Sequence, residues 1–308
     1  PPAALTVAQV VDDIAAVLDD ADVDKAVIYG TSYGSYLAAG LGVRHPGRVH
    51  AMILDSPLLN QDDIEIVRRT LRGMFWHGDD PRTADLAAKV RRLADRGAMS
   101  PADARIAADI YSLGGAQLLN RQLDLLLDDR RLFFSAIGRL GQGMADRKVP
   151  YRNETDLVGP IGYRELNFGG VPDGLPLDPA IAARDFAAEE LPPFEAEPFD
   201  LIAAMPGCDW STVVIAGGRD LTTPPAVAER IADLVPAAVL VRLPTAGHSM
   251  LDTRETAAVR IAAAVCSGAT ADLAGRGVAL DDMPARPAMR AVGAAVEAAV
   301  RIEAVLPR

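Results

Sequence analysis

Only two cysteines, Cys208 and Cys266, occur in 308 residues, too few for a disulfide scaffold. There is no C-x-x-C pair, H-E-x-x-H helix or phosphate-binding loop, so no metal or nucleotide cofactor is expected. Basic residues are also short: 31 Lys and Arg face 42 Asp and Glu, giving a formal charge of −11. That balance argues against nucleic acid or an anionic membrane as a partner. One stretch lacks charge altogether, residues 26–43, and its length reaches that of a membrane span. Gly30, Thr31, Ser32, Gly34, Ser35, Gly40 and Gly42 interrupt it, and a buried strand, turn and helix account for it better. No transmembrane segment is expected. The chain is long enough to bury a substantial core and carry a second module.

Inside that uncharged stretch lies Gly30-Thr31-Ser32-Tyr33-Gly34, a G-x-S-x-G pentapeptide. Gly and Ser are common, so the pattern alone is a weak signal. Here an apolar run rich in β-formers precedes it (25–29), and a buried helical pattern follows (35–44), stopped by His45-Pro46. Strand, tight turn and helix form the setting in which such a serine is lifted above a sheet as a nucleophile, with glycines leaving room for the strained turn.

A serine hydroxyl is a poor nucleophile until a histidine takes its proton, and that histidine needs a carboxylate to fix its tautomer. The strand-like run 212–216 is followed by a loop containing Asp220, and the run 238–243 by a loop containing His248. Open α/β sheets place their sites at this carboxyl edge. Asp55, at the end of the strand expected at 50–54, is the rival acid. Among the four histidines, His45 ends a helix, His50 begins a strand and His77 sits in a polar turn, which leaves His248 as the expected base. The order Ser32, Asp220, His248 is that of one serine hydrolase fold and no other common one.

These residues resemble the α/β-hydrolase superfamily, and within it the prolyl aminopeptidase and tripeptidyl aminopeptidase branch. The likeness rests on Tyr29-Gly-Thr-Ser-Tyr-Gly-Ser-Tyr36, Arg44-His-Pro-Gly-Arg-Val49, Leu54-Asp-Ser56, Gly217-Gly-Arg-Asp220 with Thr223-Pro224, and Ala246-Gly-His248. It covers about residues 7–60 and 208–266 and is weak between them. It implies an α/β fold with a parallel sheet, Ser32, Asp220 and His248 as catalytic residues, and the Tyr33 backbone N–H as an oxyanion donor. It also implies a largely helical lid inserted between core strands.

The expected organisation is a hydrolase core with the nucleophile at 1–59, a lid at 60–207, core again at 208–268, and a helical tail at 269–308 with a final helix at 288–304. The core helices are expected at 7–18 and 256–265. The first has Thr6 and Gln9 as a capping box and an apolar face of Val7, Val10, Val11, Ile14, Val17 and Leu18. Lid helices are expected at 62–75, 84–96, 100–111, 118–127 and 132–140, and a loop-rich return after Gly141. The resemblance gives one lid carboxylate the task of holding a substrate's α-ammonium. Glu165, in Ile161-Gly-Tyr-Arg-Glu165, is the candidate, and Glu195 and Glu197 are weaker ones. A surface residue paired with Arg164 is the alternative for Glu165.

Two departures matter. Only four core strands are visible, and the Gly-rich loop that supplies the second oxyanion N–H in this superfamily is missing, since no strand precedes Phe168-Gly-Gly170 at the right place. The chain also starts Pro-Pro without a Met, so an N-terminal segment of the same protein is expected, either cleaved and still associated or continuous with these residues, and a truncated protein of different architecture is the alternative. Cys208 and Cys266 both fall at the amino edge of the strands. A disulfide, which would favour a secreted or cell-envelope location, and two unrelated thiols are both open readings. The expected function is a serine hydrolase, an aminopeptidase acting through an acyl-enzyme on a peptide. The alternatives are a hydrolase of small or lipid esters, and an inactive fragment serving assembly or binding.

Overall fold

The computed structural model describes residues 5–145, 155–185 and 192–306. Helix α1 (Val7–Asp20) leads into β1 (Ala26–Thr31), α2 (Tyr33–Arg44) and β2 (Val49–Asp55). The inserted segment then contributes α3 (Asp63–Arg72), α4 (Ala84–Asp95), α5 (Pro101–Leu127), α6 (Leu132–Ala145), α7 (Thr155–Leu166), α8 (Pro179–Asp185) and the short α9 (Leu201–Ala204). The core resumes with β3 (Ser211–Gly217), α10 (Pro225–Leu234), β4 (Val239–Leu243), the short α11 (Met250–Thr253) and α12 (Glu255–Cys266). Two tail helices follow, α13 (Gly277–Asp281) and α14 (Pro287–Val305).

The four strands form one parallel sheet in the spatial order β1-β2-β3-β4, each within two residues of the strand expected from sequence. Parallel strands need crossovers, and helices pack on both faces as a result. Along β2, Met52 and Leu54 join Val7, Val11, Tyr36 and Leu41 of α1 and α2 on one face. Ala51 and Ile53 join Ala257, Ala258, Ile261 and Val265 of α12 on the other. A strand covered on both faces reads as a continuous apolar run, which is why β2 and β3 stand out in the sequence. β1 differs. It lies at one edge, bonded to β2 alone among the described residues, and most of it is only half-buried.

The capping box at α1 forms: the Thr6 hydroxyl accepts the Gln9 N–H, and Gln9 Oε1 accepts the Thr6 N–H at 2.9 Å. The buried face is Val7, Val11 and Ala15. Val17, expected in that stripe, is 65% exposed. Ten residues on from Val7 the helix has turned about 280°, off the buried face.

Helices α3 to α6 build a second core from Leu86, Val90, Leu93, Ile110, Leu119, Leu123 and Phe134. The helices expected at 100–111 and 118–127 are one run, bent at Gly115, whose φ of +69° only glycine adopts cheaply. The tail helix α14 also joins this core through Val296 and Val300. Its Glu303, 3% exposed, accepts the N–H groups of Leu132 (2.8 Å) and Phe133 (2.9 Å) at the start of α6. The tail thus caps a helix of the insertion, a link that nothing in the sequence marks.

Two points of the sequence reading are refined. The loop-rich return after Gly141 also carries two helices, α7 and α8. Pro160 inside α7 and the glycines at 159 and 162 argue against a helix, but Ile161 and Leu166 are buried in the core under the sheet. Tertiary packing outweighs local preference. Of the two open readings for Cys208 and Cys266, the structure has both as free thiols. They share a sheet edge but not a face: Cys208 packs with the α1–α2 side, while Cys266 ends α12 on the opposite side. The inference of an oxidising compartment falls with the disulfide.

Candidate active site

The turn after β1 is tight because three groups fix it. The Ser32 N–H donates to the Asp55 carbonyl at 2.9 Å, tying the turn to the end of β2. The Ser32 carbonyl accepts the Ser35 N–H (2.9 Å) and the Ser35 hydroxyl (2.6 Å). The Ser35 oxygen in turn accepts the Leu58 N–H at 3.0 Å. Ser32 itself sits at φ +52°, ψ −124°, a costly conformation for a residue with a side chain. It holds the hydroxyl clear of the sheet.

The two glycines of the pentapeptide are not equivalent, contrary to the sequence expectation. A Cβ on Gly30 would lie 2.3 Å from the Gly34 carbonyl oxygen, whereas a Cβ on Gly34 would meet nothing within 4 Å. Only Gly30 is needed for space.

Asp220 lies in the loop after β3 and is 1% exposed. Its Oδ1 accepts the N–H groups of Thr222 and Thr223, both at 2.9 Å. Its Oδ2 accepts the Thr223 hydroxyl at 2.9 Å and lies 2.9 Å from His248 Nδ1. On the other side of the ring, His248 Nε2 is 2.9 Å from Ser32 Oγ. The structure therefore brings Ser32, His248 and Asp220 into one hydrogen-bonded chain. Burial alone pulls the His248 imidazolium down. The hydrogen bond and charge of Asp220, with the charge of Asp55 behind them, outweigh burial and hold its pKa above the ordinary histidine value. Tyr33 is the first residue of α2, so its N–H is one of the helix-start donors without an intrahelical acceptor.

The rival acid is differently employed. Asp55 is wholly buried, and its carboxylate accepts the Tyr29 hydroxyl (3.0 Å) and the Met250 and Leu251 N–H groups (both 3.1 Å). His45 pairs with Asp12 at 2.8 Å, away from the hydrogen-bonded chain.

Glu165 is the penultimate residue of α7 and is 7% exposed. Its Oε1 pairs with the Arg164 guanidinium, which also donates to the Leu5 carbonyl, and its Oε2 accepts the Val7 N–H at 2.8 Å, at the start of α1. The Tyr33 ring is near enough for Glu165 to act on it. Burial first and then the Glu165 charge push the Tyr33 hydroxyl up to about 12. Glu195 is exposed and donates its N–H to the Arg164 carbonyl at 2.8 Å. Glu197 is half-buried, and burial, with Asp63, Asp62 and Asp200 adding to it, pushes it up to about 7.

Sequence reasoning missed Arg105 and Asp109 on α5. They pair at 3.4 Å, and the Arg105 charge lowers the pKa of His248. Their i,i+4 spacing was the available signal, but it is also that of any solvated helix face. Ser112, one turn on, lies against the Gly247 backbone next to His248. Among the described residues no three His, Cys, Asp or Glu side chains are placed to hold a metal ion, and no helix is long and apolar enough to cross a membrane.

The chain belongs to the alpha/beta hydrolase fold family, which matches residues 1–255. No curated protein matches the chain. Among solved structures, a proline iminopeptidase from Mycobacterium smegmatis is 15% identical over 87% of this chain and 73% of its own, with a TM-score of 0.48. A putative non-heme bromoperoxidase from Mycobacterium tuberculosis is 19% identical over 85% and 75%, with a TM-score of 0.43. A thermophilic esterase from Thermogutta terrifontis is 17% identical over 86% and 74%, with a TM-score of 0.41. Likenesses so distant choose no activity, and the aminopeptidase branch is one neighbour among several.

Proposed function

We propose that this α/β hydrolase is a serine hydrolase that removes residues from peptide amino termini through an acyl-enzyme. The observation that carries the reading is the pair of 2.9 Å contacts joining Asp220 to His248 and His248 to Ser32. Ser32 Oγ attacks the substrate carbonyl while His248 Nε2 takes its proton, and Asp220 holds the ring and its developing charge. The oxyanion meets the Tyr33 N–H. His248 then gives its proton to the leaving amine, the C–N bond breaks, and water activated by the same nitrogen releases the acyl group. A fluorophosphonate that labels Ser32 in the wild type tests the nucleophile. Aminoacyl amides compared with acyl esters test the substrate class.

In this reading the inserted helices form a lid, and a lid carboxylate holds the substrate ammonium. Glu165 already shares its charge with Arg164 and the start of α1. Asp109 is paired with Arg105 at the longer distance of 3.4 Å and keeps 53% of its side-chain surface open. Asp109→Asn is expected to slow turnover of free-amino substrates about ten- to a hundredfold more than of N-acylated ones, the worth of a charge-assisted contact. Glu165→Gln is the comparison, expected to lower thermal stability and leave that substrate ratio unchanged. A selective loss in Glu165→Gln alone would return the anchor to Glu165. A loss in neither favours the ester reading, for which the partnered state of Glu165 is the supporting observation.

The reading includes a further segment of the same protein lying along β1. The backbone groups at the β1 edge have no partner strand among the described residues, and proteins seldom leave such an edge bare. The segment would also bring the second oxyanion donor, worth about 2.7–4 kcal/mol at the transition state. Residues 1–308 expressed by themselves are expected to be insoluble or inactive, and co-expression with the upstream segment to restore turnover. Full activity of a monomer of these residues alone would refute the partner and leave the relay standing.

A further inference from the structure

We infer that Asp55 is a positioning residue that locks the nucleophile turn and the histidine loop to each other. The inference rests on the relay proposed above. Asp55 touches both catalytic segments. Its backbone carbonyl takes the Ser32 N–H at 2.9 Å, and its carboxylate takes the Met250 and Leu251 N–H groups at 3.1 Å. The next residue completes the clamp, since Ser56 Oγ accepts the Ser249 N–H at 2.9 Å and donates to Asp55 Oδ1 at 3.3 Å. Three consecutive N–H groups directly after His248 are thus held by two neighbouring side chains at the end of β2.

The loop needs such a clamp. Ser249 sits at φ +60° and Ser56 at φ +49°, conformations that side chains disfavour and that surrounding bonds must enforce. Further bonds brace the same point: the Thr31 hydroxyl reaches Ser249 Oγ at 3.2 Å, and Ser249 Oγ donates to Asp252 at 2.6 Å. The imidazole that this loop carries must meet Ser32 on one nitrogen and Asp220 on the other.

A carboxylate suits the position where an amide does not. Oδ1 receives Met250 N–H and the Ser56 hydroxyl, and Oδ2 receives Leu251 N–H and the Tyr29 hydroxyl. Both oxygens are acceptors only. An asparagine would point an NH₂ at one of the two backbone N–H groups, donor against donor, in a fully buried place. The negative charge also supports the imidazolium. Burial opposes that charge most, and the two backbone N–H groups, the Tyr29 hydroxyl and the His248 charge favour it. The other charged groups that bear on this region are Asp220, Arg105 and Asp109, through His248, and Asp252, through Tyr29.

The test is fluorophosphonate inactivation and steady-state hydrolysis followed over pH, using the native protein with whatever segment accompanies it. Asp55→Asn is expected to lower kcat about ten- to a hundredfold with KM little changed, as for lost charge-assisted bonds. Its acid limb should move to lower pH, because the base has lost a supporting charge. A merely structural role would not move the limb. Ser56→Ala keeps the charge and removes the oxygen that holds Ser249. It is expected to lower kcat with the limb in place, and it decides the positioning role if Asp55→Asn does not fold. Unchanged kcat in Ser56→Ala, or a folded Asp55→Asn with wild-type kcat and limb, overturns the inference alone. An unlabelled wild type overturns the relay and the inference together.

Discussion

Ser32→Ala is expected to abolish turnover and fluorophosphonate labelling while leaving the fold intact, because the turn is held by backbone bonds and by the Ser35 hydroxyl. Asp220→Asn should lower kcat by about 10⁴-fold, the cost of leaving the base with the wrong tautomer. Asp220 accepts at both oxygens, from Thr222, Thr223 and the histidine, so an amide would misdirect at least one bond. The pH profile supplies a second readout. His248 must be neutral to act as base, and its pKa is raised in the fold, so kcat/KM should climb with pH through a midpoint above the ordinary histidine value of about 6.5. In Asp220→Asn that midpoint should fall. The stability sign runs the other way: the raised pKa stabilises the fold below about pH 6.5, and that contribution is lost as pH rises through the folded-state value. Near-normal kcat in Asp220→Asn, with a collapse in Asp55→Asn, would exchange the roles of the two acids.

The parts legible in the sequence are those whose signals are local. The apolar strand, the Gly30–Gly34 turn and the following helix are consecutive, and the loops of Asp220 and His248 each follow directly on a largely apolar strand. What stayed hidden depends on partners distant in sequence. Glu165 meets the start of α1, 158 residues away, and Asp55 meets Met250 across 195. Cys208 and Cys266 illustrate the limit of topology, which gives the edge of the sheet they share but not the face each one occupies. α7 was hidden by its own proline and glycines, because the burial of Ile161 and Leu166 that supports it comes from the core beneath. Arg105 and Asp109 sit on a helix whose existence was plain, yet only the fold turns that helix toward the base.

The pentapeptide itself carries a prediction that its sequence pattern does not. A methyl on Gly30 would fall 2.3 Å from the Gly34 oxygen, 2.7 Å from the Gly34 carbonyl carbon and 2.7 Å from the Ser35 Cα. All three are backbone atoms of the first turn of α2, so no rotamer change relieves the overlap, and β1 and α2 must separate by about an ångström to restore ordinary contact. β1 is fixed by its ladder to β2, and the helix start by the bonds of Ser35 to Ser32 and Leu58. The separation must therefore fall on the residues between them, chiefly Ser32. A displacement of that size at the nucleophile costs about a hundredfold in rate, and overpacking against backbone costs about 1–3 kcal/mol of stability. Gly30→Ala is expected to lose labelling at Ser32 by at least that factor and to melt at a lower temperature. Gly34→Ala puts its methyl in open space and replaces a glycine within a helix, so it should label at close to the wild-type rate with equal or slightly higher stability. Labelling rates and melting temperatures of the two variants, measured side by side, decide the matter. Equal losses in both would mean that the turn requires its second glycine for a reason other than space, and a tolerated Gly30→Ala would mean that β1 and α2 are less tightly held than their hydrogen bonds imply.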